Sequence, residues 1–162
     1  MQNPFEYQRV VTGNKFVDRE KELKIIIDAM MNGENLILIS PRRLGKTSLL
    51  KEAMRRINGK RIIAYVDLFD CTNEQEIAEK IANAVINSFG KIEKLLTKLR
   101  RFFKSTKPVI SIGEKIELKF EFFEKEKTLA EVLKMINKLA EERKKRIVVI
   151  IDECQIMAEM EK

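Results

Sequence analysis

The chain has 162 residues, 44% of them hydrophobic and 35% charged, which suits one folded domain with a sizeable core and excludes a disordered chain. No apolar run approaches the ~20 residues of a membrane helix, and Met1 to Val10 lacks the basic-then-apolar order of a secretory leader. A cytoplasmic protein without membrane partners is therefore expected. Histidine is absent, which removes imidazole catalysis and ligation, and the two cysteines, Cys71 and Cys154, are too few for a zinc site and read as reduced thiols.

The net charge is +7, and it is concentrated. Between Lys91 and Lys107 stand seven basic residues against one acidic residue, Glu93. The wider excess of Lys and Glu matches proteins of heat-loving organisms, in which ion-pair networks gain value.

In chain order, Asn3 to Val17 reads as irregular, broken by Pro4 and Gly13. Asp18 is a candidate N-cap for a helix through Leu23, Ile26, Ile27 and Met30, stopped by Asn32-Gly33. Leu36 to Ile39 is a short continuous apolar run, the pattern of a strand buried on both faces. A loop follows from Ser40 to Gly45, then a helix from Thr47 to Ile57. Ile62 to Phe69 predicts a second strand. Asn73 and Glu76 have the spacing of a capping box for a helix that reaches Phe89.

Lys91 to Lys104 predicts an amphipathic helix with Ile92, Leu95 and Leu99 on one stripe and Lys94, Lys98 and Arg101 solvated. The alternative reading of this segment is a nucleic-acid contact. Val109 to Ile112 and Ile116 to Phe122 alternate around Gly113-Glu114 and predict a β-hairpin. Thr128 opens a long helix through Leu139, and Ile147 to Ile151 predicts a third core strand. Strands separated by helices give an α/β fold with a parallel sheet.

Two motifs carry chemistry. The stretch Ser40, Pro41, Arg42, Arg43, Leu44, Gly45, Lys46, Thr47 follows the pattern G-x-x-x-x-G-K-[ST] except at its first position. Such a loop wraps backbone N–H groups around phosphate oxygens at a helix N-terminus. Gly45 permits close approach, Lys46 reaches the β- and γ-phosphates, the Thr47 hydroxyl takes Mg2+, and Ser48 adds an N–H. The second motif is the pair Asp152 and Glu153, which ends the apolar run from Ile147. Ligands of open parallel sheets sit at that edge. Asp152 suits a magnesium ligand, usually through water, and Glu153 suits the base that deprotonates an attacking water.

Together these motifs resemble the additional-strand, catalytic-glutamate class of P-loop ATPases. The carrying segments are N-P-F-E-Y at Asn3, F-V-D-R-E-K-E-L at Phe16, S-P-R-R-L-G-K-T at Ser40, Y-V-D-L-F at Tyr65 and I-I-D-E-C-Q at Ile150. More narrowly, they resemble archaeal ATPases related to AAA and STAND proteins. The resemblance implies a P-loop sheet with an inserted β-hairpin and a tolerated Ser at the first loop position. It also implies ATP and Mg2+ as ligands and an adenine site bordered by Phe16, Val17 and Arg19. An aromatic residue is usual in the family where Cys154 stands here.

Family members continue past the acidic pair into a strand that lies between the loop strand and the acidic-pair strand. On that comparison residues 1–162 form the N-terminal portion of such a domain, with a core incomplete at its C-terminus: a fragment, a truncated frame, or a domain completed by another chain. The leading expectation is an ATPase whose hydrolysis drives a conformational change. The alternatives are a nucleotide-binding switch without turnover and a basic nucleic-acid-binding module. A homo-oligomer or a completing protein chain is the expected protein partner.

Overall fold

The computed structural model describes residues 10–41, 44–89, 106–112, 116–122 and 129–159, with 106–112 and 116–122 as backbone. Two compact units divide the chain, Met1–Arg61 and Ile62–Lys162.

In the first unit, helix α1 (Glu20–Asn32) presents Leu23, Ile26, Ala29 and Met30 on one buried stripe. It packs against α2 (Lys46–Ile57), which buries Leu49, Ala53 and Ile57 at four-residue spacing. Helix α1 ends as expected at Gly33, whose φ of 79° allows both its own amide and that of Glu34 to reach the Ala29 carbonyl. Its start differs from expectation. Arg19, not Asp18, occupies the cap position, and no side chain caps the helix; Asp18 instead adopts a left-handed φ of 69°.

A larger difference concerns Leu36 to Ile39. This run forms no strand, and Leu36, Ile37 and Ile39 are 48%, 80% and 89% exposed. The physical reason is pairing. A strand exists only against hydrogen-bonded neighbours, and no ladder reaches this run among the described residues. Apolar composition alone therefore does not make it a strand.

The first unit is tied together by a buried carboxylate. Glu52 is fully buried on α2. It accepts from Arg55 Nη2 at 2.7 Å and Nε at 2.9 Å, from Arg56 Nε at 2.9 Å, and from the Gly13 amide at 2.8 Å. Arg56 in turn donates to Glu20 on α1 at 2.6 and 2.8 Å. A single carboxylate thus joins the 3-10 turn at Gly13–Lys15 to α2, and through Arg56 to α1.

In the second unit, β1 (Ile62–Asp67) and β4 (Ile147–Asp152) pair in parallel, from Ile62 opposite Ile147 to Asp67 opposite Asp152. This confirms the two strands as parallel neighbours, with β1 ending two residues before the predicted Phe69. One face of the pair contributes Ala64, Val66, Ile147 and Val149 to a core built with α3 (Glu74–Asn87) and α4 (Leu129–Arg143). Ile77, Ile81 and Val85 of α3 and Val132, Met135 and Leu139 of α4 bury there at helical spacing.

Asn73 caps α3, its Oδ1 accepting from the Glu76 amide at 2.9 Å. The reciprocal bond is displaced by one residue, because Glu76 Oε2 accepts from the Thr72 amide at 2.7 Å. The predicted hairpin is present as β2 (Thr106–Ile112) antiparallel to β3 (Ile116–Phe122). A short helix, α5 (Gln155–Glu159), follows β4. The helix expected over Lys91 to Lys104 lies outside the described residues, as does the N-P-F-E-Y segment. Cys71 is buried and Cys154 exposed, each following the C-terminal end of one of the paired strands.

The hydrogen bonds of Arg55, with those of the Gly13 amide and Arg56, hold the Glu52 carboxyl at about 2, below its ordinary 4.5, against the opposing effect of burial. Folded protein therefore binds fewer protons at this site than unfolded protein. The stabilisation is complete above pH 4.5 and is lost as pH falls through about 2. Glu52→Gln should cost roughly 2–3 kcal/mol at neutral pH, since it weakens charge-assisted bonds to a buried group. It should also flatten the acid limb of the stability profile, as measured by urea denaturation across pH 2 to 6.

Candidate functional site

The first unit supplies a loop-to-helix junction. Gly45 sits immediately before α2 with a φ of 70°, the left-handed region that glycine enters without strain. The first intrahelical bond runs from the Leu49 amide to the Gly45 carbonyl at 2.9 Å. The amides of Lys46, Thr47 and Ser48 therefore point out of the N-terminal end of α2. No acidic side chain occupies that first turn. Helix geometry and dipole both favour an anion at this position.

Two contacts hold the junction in place. Arg19 Nη1 donates to the Leu44 carbonyl at 2.8 Å while its Nε donates to Glu22 at 3.2 Å. The Ser48 hydroxyl accepts from the Val11 amide at 3.0 Å. Ser40 is half-buried, and its hydroxyl donates to the Pro41 carbonyl at 3.1 Å. Arg42 and Arg43 lie outside the described residues. Of the three residues expected near an adenine, Arg19 reaches the loop itself, Phe16 is half-buried, and Val17 is 75% exposed.

The second unit supplies the acidic pair. Asp152 ends β4 and is buried, at 5% exposure. Its Oδ2 accepts from the Tyr65 hydroxyl at 2.7 Å, and its Oδ1 accepts from the Glu153 amide at 3.1 Å. Glu153 has a φ of 56°, uncommon for a residue with a β-carbon, and its carboxylate accepts from the Gln155 side chain. Asp67, directly opposite Asp152 in the ladder, turns back to accept from the Phe69 amide at 2.9 Å. Burial, then the bond to Asp152 and the nearby negative charges, pushes the Tyr65 phenol far above its ordinary value, so it stays a donor.

Among the described residues, no group of three or more His, Cys, Asp or Glu side chains could hold a metal alone. Within the second unit Asp152 offers carboxylate oxygen, and within the first Thr47 offers a hydroxyl; each is the kind of hard oxygen donor that suits Mg2+. Among the described residues, no helix is long and apolar enough to cross a membrane.

Sequence reasoning missed two parts of this arrangement. Glu52 stands on the apolar side of α2 with Arg55 and Arg56 three and four positions on, a spacing that pairs charges on a helix. The Tyr65–Asp152 bond depends on which strands are neighbours and in what register, and no local pattern records that.

The chain matches the model of an ATPase domain predominantly from Archaea over residues 16–162, and it belongs to that family. Comparison with curated proteins and with solved structures finds no match.

A β-carbon at Gly45 would meet only Arg19 Nη1, at 4.0 Å, so space is adequate and backbone conformation is the constraint. Gly45→Ala should cost roughly 1–2 kcal/mol in urea denaturation, the cost of forcing an L-residue into this region.

Proposed function

We propose that this chain binds ATP with Mg2+ and hydrolyses it, as a P-loop ATPase related to AAA and STAND proteins. The observation that carries the reading is the left-handed Gly45, which delivers Lys46 and Thr47 to the open end of α2. The family supports it independently.

In this reading the amides of α2 and the Lys46 ammonium bind the β- and γ-phosphates. Thr47 and Asp152 are the residues that would offer oxygen to Mg2+, which would neutralise phosphate charge. Glu153 takes a proton from water as its oxygen attacks the γ-phosphorus. The bond from that phosphorus to the bridging oxygen breaks, and ADP leaves with the electron pair. Phe16 and Val17 border the adenine, and Arg19 braces the loop through the Leu44 carbonyl. Turnover drives a conformational change in a partner.

The exposed Leu36, Ile37 and Ile39 support a second element of the reading. Among the described residues this apolar run has no ladder partner, and such a run invites association, so we propose that a strand of another chain pairs with it. The 162-residue chain should then self-associate in sedimentation and turn ATP over slowly. A monomer with ordinary turnover would contradict this.

Lys46→Ala should weaken ATP binding about 10- to 100-fold by calorimetry, the value of a charge-assisted phosphate contact. Glu153→Gln should leave binding within about twofold and reduce single-turnover hydrolysis by about 100-fold or more. Equal affinity in wild type and Lys46→Ala would count against nucleotide binding at this loop. Full turnover in Glu153→Gln would remove Glu153 from its role.

A further inference from the structure

Tyr65 lies on β1 opposite Ile150, two positions before Asp152 on the adjacent parallel strand. Side chains two apart share a face, so Tyr65 and Asp152 are diagonal neighbours, and the length of a tyrosine spans that diagonal. Its hydroxyl meets Asp152 Oδ2 at 2.7 Å, short enough for a strong bond to a carboxylate. The other oxygen, Oδ1, is held by the Glu153 amide at 3.1 Å. Both carboxylate oxygens are therefore met within the second unit, one by the Tyr65 side chain and one by a backbone amide. With a donor on each oxygen, the carboxylate cannot rotate without breaking one bond.

From this geometry we infer that Tyr65 is a positioning residue for the cation: it fixes the orientation in which Asp152 presents oxygen to a divalent metal accompanying the nucleotide. The inference rests on the nucleotide reading above. A carboxylate oxygen has two lone-pair directions, so Oδ2 can accept from Tyr65 on one side and meet a metal-bound water on the other. Hydrogen bonds to a ligating carboxylate fix its direction, and their loss typically lowers metal affinity 10- to 100-fold. A phenylalanine at this position keeps the ring and its packing and removes only the donor. The Asp152 carboxylate would then lose the bond that fixes Oδ2 from β1.

The test is Mn2+ binding, followed by electron paramagnetic resonance in the presence of ADP, on the full chain. Tyr65→Phe should weaken Mn2+ binding about tenfold and leave ADP affinity in EDTA within about twofold. Unchanged Mn2+ affinity would overturn the inference. So would a parallel fall of both affinities, which marks general damage to the sheet. In an Asp152→Ala background, Tyr65→Phe should cause no further loss of Mn2+ affinity, because the residue acts only through that carboxylate; additive losses would overturn it. Introducing 4-aminophenylalanine at position 65 restores a donor on the same ring and should recover wild-type affinity, and failure to recover it would also overturn the inference. Wild-type protein that takes up no Mn2+ with ADP would defeat the nucleotide reading itself. Wild-type binding with an indifferent Tyr65→Phe would defeat only the role of Tyr65.

Discussion

A carboxylate removed from water must find donors inside the protein, because an unpaired buried charge costs several kcal/mol. Among the described residues only two charged side chains are buried, Glu52 and Asp152, one in each unit. Much of the local architecture follows from meeting that demand. Around Glu52 it draws in Arg55, Arg56 and the Gly13 amide, and through Arg56 it reaches Glu20 on α1. Around Asp152 it fixes the Tyr65 hydroxyl and the amide of the next residue.

The two carboxylates sit differently in sequence and serve different ends. Glu52 lies mid-helix, below the first turn of α2, and its partners are Arg55 and Arg56 on the same helix and the Gly13 amide. It stabilises the scaffold on which Gly45 and Lys46 stand. Asp152 lies at the last position of a strand, where the parallel ladder ends and backbone pairing gives way to side-chain chemistry. Its burial there is met by the Tyr65 hydroxyl and the Glu153 amide.

Much of this was legible from residue order. Helical stripes located α1, α2, α3 and α4, the Asn73 cap was visible from its spacing, and alternation marked the hairpin now seen as β2 and β3. The loop and the acidic pair were visible as motifs because their chemistry is local: a glycine, a lysine and a hydroxyl in succession, or two acids after an apolar run. What escaped was non-local. Leu36 to Ile39 has strand composition, but strand formation requires a neighbour that composition does not name. Asp18 has the chemistry of a helix cap, but its left-handed φ takes it out of the capping geometry. The Gly13–Glu52 and Tyr65–Asp152 bonds join positions 39 and 87 residues apart, and only the folded chain brings them together.

The strand end also explains why Glu153 is strained. To leave β4 at Asp152 and enter α5 at Gln155, the chain must turn within two residues. A left-handed Glu153 makes that turn, at a cost of order 1 kcal/mol for a residue with a β-carbon. The same turn directs the Glu153 amide back to Asp152 Oδ1, and the Glu153 carboxylate accepts from Gln155 on the far side. Tyr65, Asp152, Glu153 and Gln155 therefore form one hydrogen-bonded line along the sheet edge, in which the orientation of each carboxylate depends on the backbone of its neighbour. A glycine at 153 would relieve the strain and remove the carboxylate. Asp18 and Lys144 adopt the same region of backbone space, but of these three residues it is Glu153 whose left-handed turn aims an amide at the buried Asp152 carboxylate.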